Sequence, residues 1–152
     1  MVENNVITQV KTVGYPGVEI NNKRRPVLKE GGKEIDAEGM YLLPGFIDMH
    51  GHIGGVSQGA DWDYVFKLWL AHGVTTVREP SGRSRDWTLD LKQKSAQNKI
   101  IAPRIIQYTG FGTGAENGIN TPEEARSWVR ANAKAGSDGI KFFGASPEIM
   151  EA

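Results

Sequence analysis

The sequence predicts an α/β protein built on a parallel sheet, and three observations predict it. From Leu42 onward, short β-branched and apolar runs alternate with segments of helical periodicity. The helical segments carry start or stop signals of the usual kind. Many of the 19 glycines stand where apolar runs end, as a fold with tight strand–helix connections requires. Parallel strands joined this way take right-handed crossovers. Periodicity leaves two architectures open, an open doubly wound sheet and the first half of a (β/α)8 barrel.

Residues 1–43 read as irregular β structure. Val6 to Val13 alternates loosely, and Tyr15-Pro16-Gly17 marks a turn. Asn21-Asn22-Lys23-Arg24-Arg25-Pro26 is a polar, basic loop, read as a solvated surface turn. Glu34 to Tyr41 reads as another short strand. The regular alternation follows, over 44–152. Phe46 to His50 is a strand, and Asp61 to Ala71 a helix. Trp62, Val65, Phe66 and Trp69 share one stripe of that helix, read as core packing rather than a cofactor box. Gly73 closes it, and Val74 to Arg78 is strand-like. Trp87 to Asn98 is a more polar helix, and Arg104 to Thr109 a third strand. Thr121-Pro122-Glu123-Glu124 opens the next helix with an N-cap threonine, proline at the first helical position and a capping-box glutamate. It runs to about Ala135 and stops at Gly136. Ile140 to Phe143 is a fourth strand, and Ser146-Pro147-Glu148 begins a further helix.

Composition narrows the function. The 18 basic and 18 acidic residues cancel, which gives no reason to expect a nucleic-acid or acidic-membrane partner. A chain without cysteine has no disulfide scaffold, thiolate zinc site or cysteine nucleophile. No apolar run approaches the ~20 residues of a membrane span, and the first residues lack the regions of a secretory signal. A cytoplasmic location is the default expectation, with an exported parent protein left open.

The chemistry gathers in Asp48-Met49-His50-Gly51-His52. Residues two apart in a strand share a face, so Asp48, His50 and His52 point one way if the strand persists. Two imidazoles so placed are ready ligands for zinc or a similar divalent ion. Gly51 would let the backbone approach the ion. Asp48 either orients a histidine or is bonded to backbone, and both readings stay open. The position, at the C-terminal end of a parallel strand, is where α/β proteins place their sites. Lys141 lies in Ile140-Lys141-Phe142-Phe143, an apolar strand. A buried ammonium has a lowered pKa, and the neutral amine can add carbon dioxide to give a carbamate able to bridge two metals. His72, at a helix end, reads as structural. Gly110-Phe111-Gly112-Thr113-Gly114-Ala115 fits a dinucleotide pattern, but a polar loop at 116–120 separates it from the next helix, so it reads as a rim loop.

Leu43-Pro44-Gly45-Phe46-Ile47-Asp48-Met49-His50-Gly51-His52 resembles the signature of the amidohydrolase superfamily of metal-dependent hydrolases. Ile35 to Tyr41 resembles its lead-in, and Ala71-His72-Gly73-Val74-Thr75-Thr76-Val77-Arg78 its second barrel strand. The Gly-Ile-Lys-Phe context of Lys141 resembles the prolidase and imidazolonepropionase-like branches. The resemblance implies a (β/α)8 TIM-type barrel attached to a small β-sandwich. The expectation is therefore a partial sandwich segment at 1–43 and the N-terminal half of a barrel at 44–152. It also implies one or two divalent ions, zinc foremost, held by His50, His52 and a carboxylated Lys141. The activity implied is hydrolysis of amide or cyclic-amide C–N bonds of a small molecule by a metal-activated water.

A complete barrel takes ~250 residues, and no histidine follows His72. The expectation is an N-terminal portion whose general-base aspartate lies beyond Ala152, inactive or nearly so alone. Bare strand edges and a bare sheet face would favour self-association. The alternative is a truncated, non-catalytic α/β domain acting as an interaction or oligomerisation module. A nucleotide-binding domain rests on the glycine loop alone.

Overall fold

The computed structural model describes residues 1–4, 6–54, 60–80 and 84–152. They form two compact units, Met1–Leu42 and Leu43–Ala152. In the first, β1 (Val2–Glu3) pairs antiparallel with β2 (Val6–Ile7). A 3-10 turn at Asn22–Arg24 is capped by the Asn21 side chain, which accepts from the Lys23 amide at 3.1 Å. Lys29 pairs with Glu3 at 2.8 Å, and Arg25 with Glu34 at 3.4 Å.

The longer strands expected from Val6 to Val13 and from Glu34 to Tyr41 do not form in this unit. Among its described residues β2 stops at Ile7, and 34–41 is irregular. A strand needs neighbours and a face to bury. Val10 and Ile35 are both 87% exposed and have neither. The β structure among the described residues of this unit is two strands of two residues.

The second unit is the regular one. Its elements are β3 (Phe46–Asp48), α1 (Trp62–Ala71), β4 (Val74–Pro80), α2 (Arg85–Ala96), β5 (Arg104–Gly110), α3 (Pro122–Ala135), β6 (Gly139–Lys141) and α4 (Pro147–Met150). The four strands are parallel and lie in the order β3-β4-β5-β6. Spatial order thus follows chain order, without the reversal that defines a doubly wound sheet. The sheet is laid out as consecutive barrel strands are, but four strands do not close a barrel.

Side-chain alternation sorts the sheet. Val77 on β4 and Ile105 on β5 point toward the helices and are at most 2% exposed. They pack with Phe66 of α1, Leu91 of α2 and Ile53, with Trp62, Trp69 and Trp87 around them. The aromatic stripe of α1 is therefore core. Trp62 meets Phe66 edge-on at 5.6 Å, and Phe66 stacks on Trp69 at 6.4 Å. Burying Phe66 contributes on the order of 2–3 kcal/mol.

Local chemistry sets the helix limits. Asp61, Ser84 and Thr121 side chains each accept a first-turn amide of α1, α2 and α3. For α3 the bond is reciprocal: the Glu124 amide donates to Thr121 Oγ1 at 3.2 Å, and Glu124 Oε2 accepts from the Thr121 amide at 3.1 Å. Gly136 ends α3 at φ 104°, a conformation that suits glycine alone. Among the described residues no helix is long and apolar enough to cross a membrane.

Two strands end earlier than their apolar runs suggest. β3 stops at Asp48 rather than His50, because Asp48 Oδ1 accepts from the His50 amide at 2.9 Å and turns the chain. β6 stops at Lys141 rather than Phe143. Its partner β5 ends at Gly110, and the Phe111 amide makes the last rung to the Lys141 carbonyl at 2.8 Å.

Candidate functional site

Met49 to Ile53 leaves the end of β3 as a turn, and the end of β4 holds it in place. The Gly51 amide donates to the Arg78 carbonyl at 3.1 Å. Arg78 Nε donates to the Met49 carbonyl at 2.6 Å. The Ile53 amide donates to Glu79 Oε2 at 2.8 Å, and His52 Nδ1 lies 3.3 Å from Glu79 Oε1. Ile53 plugs the turn into the core at 0% exposure. Gly51 is buried, and a Cβ there would fall on the Val77 side chain and the Trp69 ring. Packing of the turn on the core therefore requires this glycine.

The turn brings His50 and His52 together by a different route from strand alternation. Their ring centres are 5.4 Å apart, at 77°. Two imidazoles bound to one tetrahedral ion at about 2.1 Å per nitrogen have ring centres about 5 Å apart. The observed separation of the ring centres is of that order. His52 has its Nδ1 against Glu79 and its Nε2 left for a ligand, while half of its side chain remains open to solvent (53%).

The other sequence-predicted residues fall as follows. Asp48 is bonded to the His50 backbone amide, the second of its two readings. Lys141 is half-buried on β6, with β4 and β5 between it and β3, the strand that leads into the histidine turn. Its Nζ lies 5.5 Å from the centre of the Phe143 ring. Among the described residues no three His, Asp or Glu side chains converge as a metal cluster. His72 caps α1, its Nδ1 lying 2.8 Å from the Leu68 carbonyl. The glycine loop after β5 is a series of turns, and α3 begins only at Pro122.

Sequence reasoning missed Arg78 and Glu79. Glu79 is 0% exposed, and a buried carboxylate is tolerable only when donors meet it. Here two do. The signal was available: Glu79 follows Val77 by two and so continues onto the buried, helix-facing side. Arg78 points to the other face, where its guanidinium sits 5.1 Å over the Tyr108 ring.

No protein-family model matches the chain. A stretch of 48 residues, 32% of this chain and 8% of the other, is 50% identical to an adenine deaminase of Bacillus licheniformis. Among solved structures, a prolidase complexed with N-methylphosphonate-L-proline superposes with a TM-score of 0.59 at 21% identity, covering 81% of this chain and 38% of that one. A protein described as an amidohydrolase gives a TM-score of 0.59 at 18% identity, with the same coverage of each chain. The chain spans less than half the length of these neighbours, and likeness at such identities is likeness of fold. The chain is thus similar in fold, over most of its length, to a prolidase and to a protein described as an amidohydrolase, and similar in sequence, over 48 residues, to an adenine deaminase.

Proposed function

We propose that this chain supplies the metal-binding beginning of an amidohydrolase-type active site, in a hydrolase acting on C–N bonds of amides or cyclic amides. One observation carries the reading: His50 and His52 meet 5.4 Å apart at the C-terminal end of a parallel strand. The adenine deaminase segment supports the bond class in its coarse form. In this reading His50 and His52 would hold a divalent ion, zinc foremost, and Lys141 would be a third ligand after carboxylation, with one or two ions in all. When bound, the metal lowers the pKa of a water and polarises the substrate carbonyl. The chain's own part is to present two imidazoles on a turn that β4 fixes in place. The general base is not among the residues assigned here, so this chain alone is proposed to be inactive or nearly so.

Metal analysis of the purified chain tests this. A near-stoichiometric divalent metal, lost in the His50→Ala, His52→Ala double variant, is the expected result. No metal in the parent chain under zinc-replete conditions sinks the reading. Bicarbonate-dependent metal loading that Lys141→Ala abolishes is expected for the carbamate; loading indifferent to bicarbonate removes Lys141 from the site.

A second reading, self-association of a non-catalytic α/β module, draws on exposed apolar residues near the sheet. Phe46, Ile47, Met49 and Phe143 are 66%, 61%, 57% and 77% exposed. Such a surface favours association. A concentration-independent monomer in size-exclusion chromatography with light scattering counts against it.

A further inference from the structure

We infer that Glu79 is a positioning residue that fixes the tautomer of His52, holding the proton on Nδ1 so that Nε2 keeps the free lone pair. The inference rests on the metal-site reading for its purpose, but not for its geometry. Glu79 is wholly buried, and the two oxygens of its carboxylate face two different nitrogens. Oε2 accepts from the Ile53 amide at 2.8 Å, and Oε1 stands 3.3 Å from His52 Nδ1. The Ile53 bond anchors the carboxylate, because that amide can only donate. The remaining oxygen then presents an acceptor to His52, and an imidazole nitrogen facing a carboxylate is held as N–H. The tautomer with the proton on Nε2 would set two lone pairs against each other inside the fold.

This division of labour also explains why Glu79 and the histidine turn meet at all. Arg78 fixes the start of the turn through Met49, and the Gly51 amide bonds to the Arg78 carbonyl. Glu79 fixes its end. Ring orientation, which backbone bonds alone leave free, is then set by Oε1. In metal sites a carboxylate behind a ligating histidine does this work, and its loss costs about 10–100-fold in affinity.

Glu79→Gln is the informative variant because it changes donors rather than shape. Glutamine offers one acceptor and one amide NH2. If its oxygen stays with Ile53, its NH2 faces His52 Nδ1 and favours the Nε2–H tautomer. The test is long-range 1H–15N spectroscopy of 15N-histidine-labelled chain, free of metal, with a parallel zinc titration. Only three histidines need assignment, by single substitutions. The expected result is Nδ1–H for His52 in the parent chain, a shift toward Nε2–H in Glu79→Gln, and zinc binding weakened about 10–100-fold. An unshifted His52 in a folded Glu79→Gln chain overturns the inference. Glu79→Asp keeps both acceptors and serves if the glutamine variant does not fold; Nδ1–H is expected to persist there, and its loss overturns the inference too. A tautomer that shifts as expected while neither chain binds zinc leaves Glu79 in its role and overturns the metal reading instead.

Discussion

Substituting Gly51 by alanine isolates what holds the histidine turn against the sheet. The added Cβ would fall on the Val77 side chain and lie 2.8 Å from Trp69 Cζ2. Carbon atoms rest about 3.5–4.0 Å apart, so the turn or the ring must move by about 1 Å. Val77 is 0% exposed and belongs to the core cluster against which Trp69 packs. Val77 is enclosed and Trp69 is partly buried against the core, and overpacking of this kind costs about 1–3 kcal/mol. The displaced turn would also stretch the Gly51 amide bond to the Arg78 carbonyl, now 3.1 Å, and move His50 and His52 apart. Urea unfolding followed by tryptophan fluorescence measures the loss. Val77→Ala removes one of the two obstructing groups, so the double variant should be more stable than the sum of the single losses by about 1 kcal/mol. Strict additivity, or a neutral Gly51→Ala, refutes the packing argument.

Two further predictions concern α3. Thr121→Ala removes the acceptor for the Glu124 amide, and the expected loss is about 1 kcal/mol in thermal or urea unfolding. The Glu124 carboxyl titrates below its usual range because the Asn120 and then the Thr121 backbone amides donate to it. A depressed folded pKa means stability present above the unfolded pKa and lost as pH falls through the folded one. The stability gap between the parent chain and Glu124→Gln should therefore close on acidification through the carboxylate range. A gap independent of pH would show that the charged form of Glu124 adds nothing.

How much was legible differs by region. In the second unit, apolar spacing and, for α3, capping residues located the helices among the described residues, since these are signals a residue sends to its own neighbours; the start of α2 was placed two residues late, its cap at Ser84 unread. Thr121, Pro122 and Glu124 fixed the start of α3 to the residue. The strands were found, but β3 and β6 were drawn too long, because their ends depend on bonds to Asp48 and Phe111 that hydrophobicity does not carry. In the first unit the expected strands failed, since alternation in Val6 to Val13 means little without a partner to bury Val10.

The site divides along the same line. By itself the sequence determined the parallel α/β alternation and the pairing of His50 with His52, because spacing and periodicity act within a few residues. It offered Lys141 as a ligand on the same local grounds. Tertiary structure alone decided that Arg78 of β4 holds the histidine turn through Met49, and that Glu79 stands behind His52 and Ile53. Those outcomes join residues 26–29 positions apart. Such bonds form only after β3 and β4 have paired and buried Glu79, when the cost of an unmet carboxylate selects its donors.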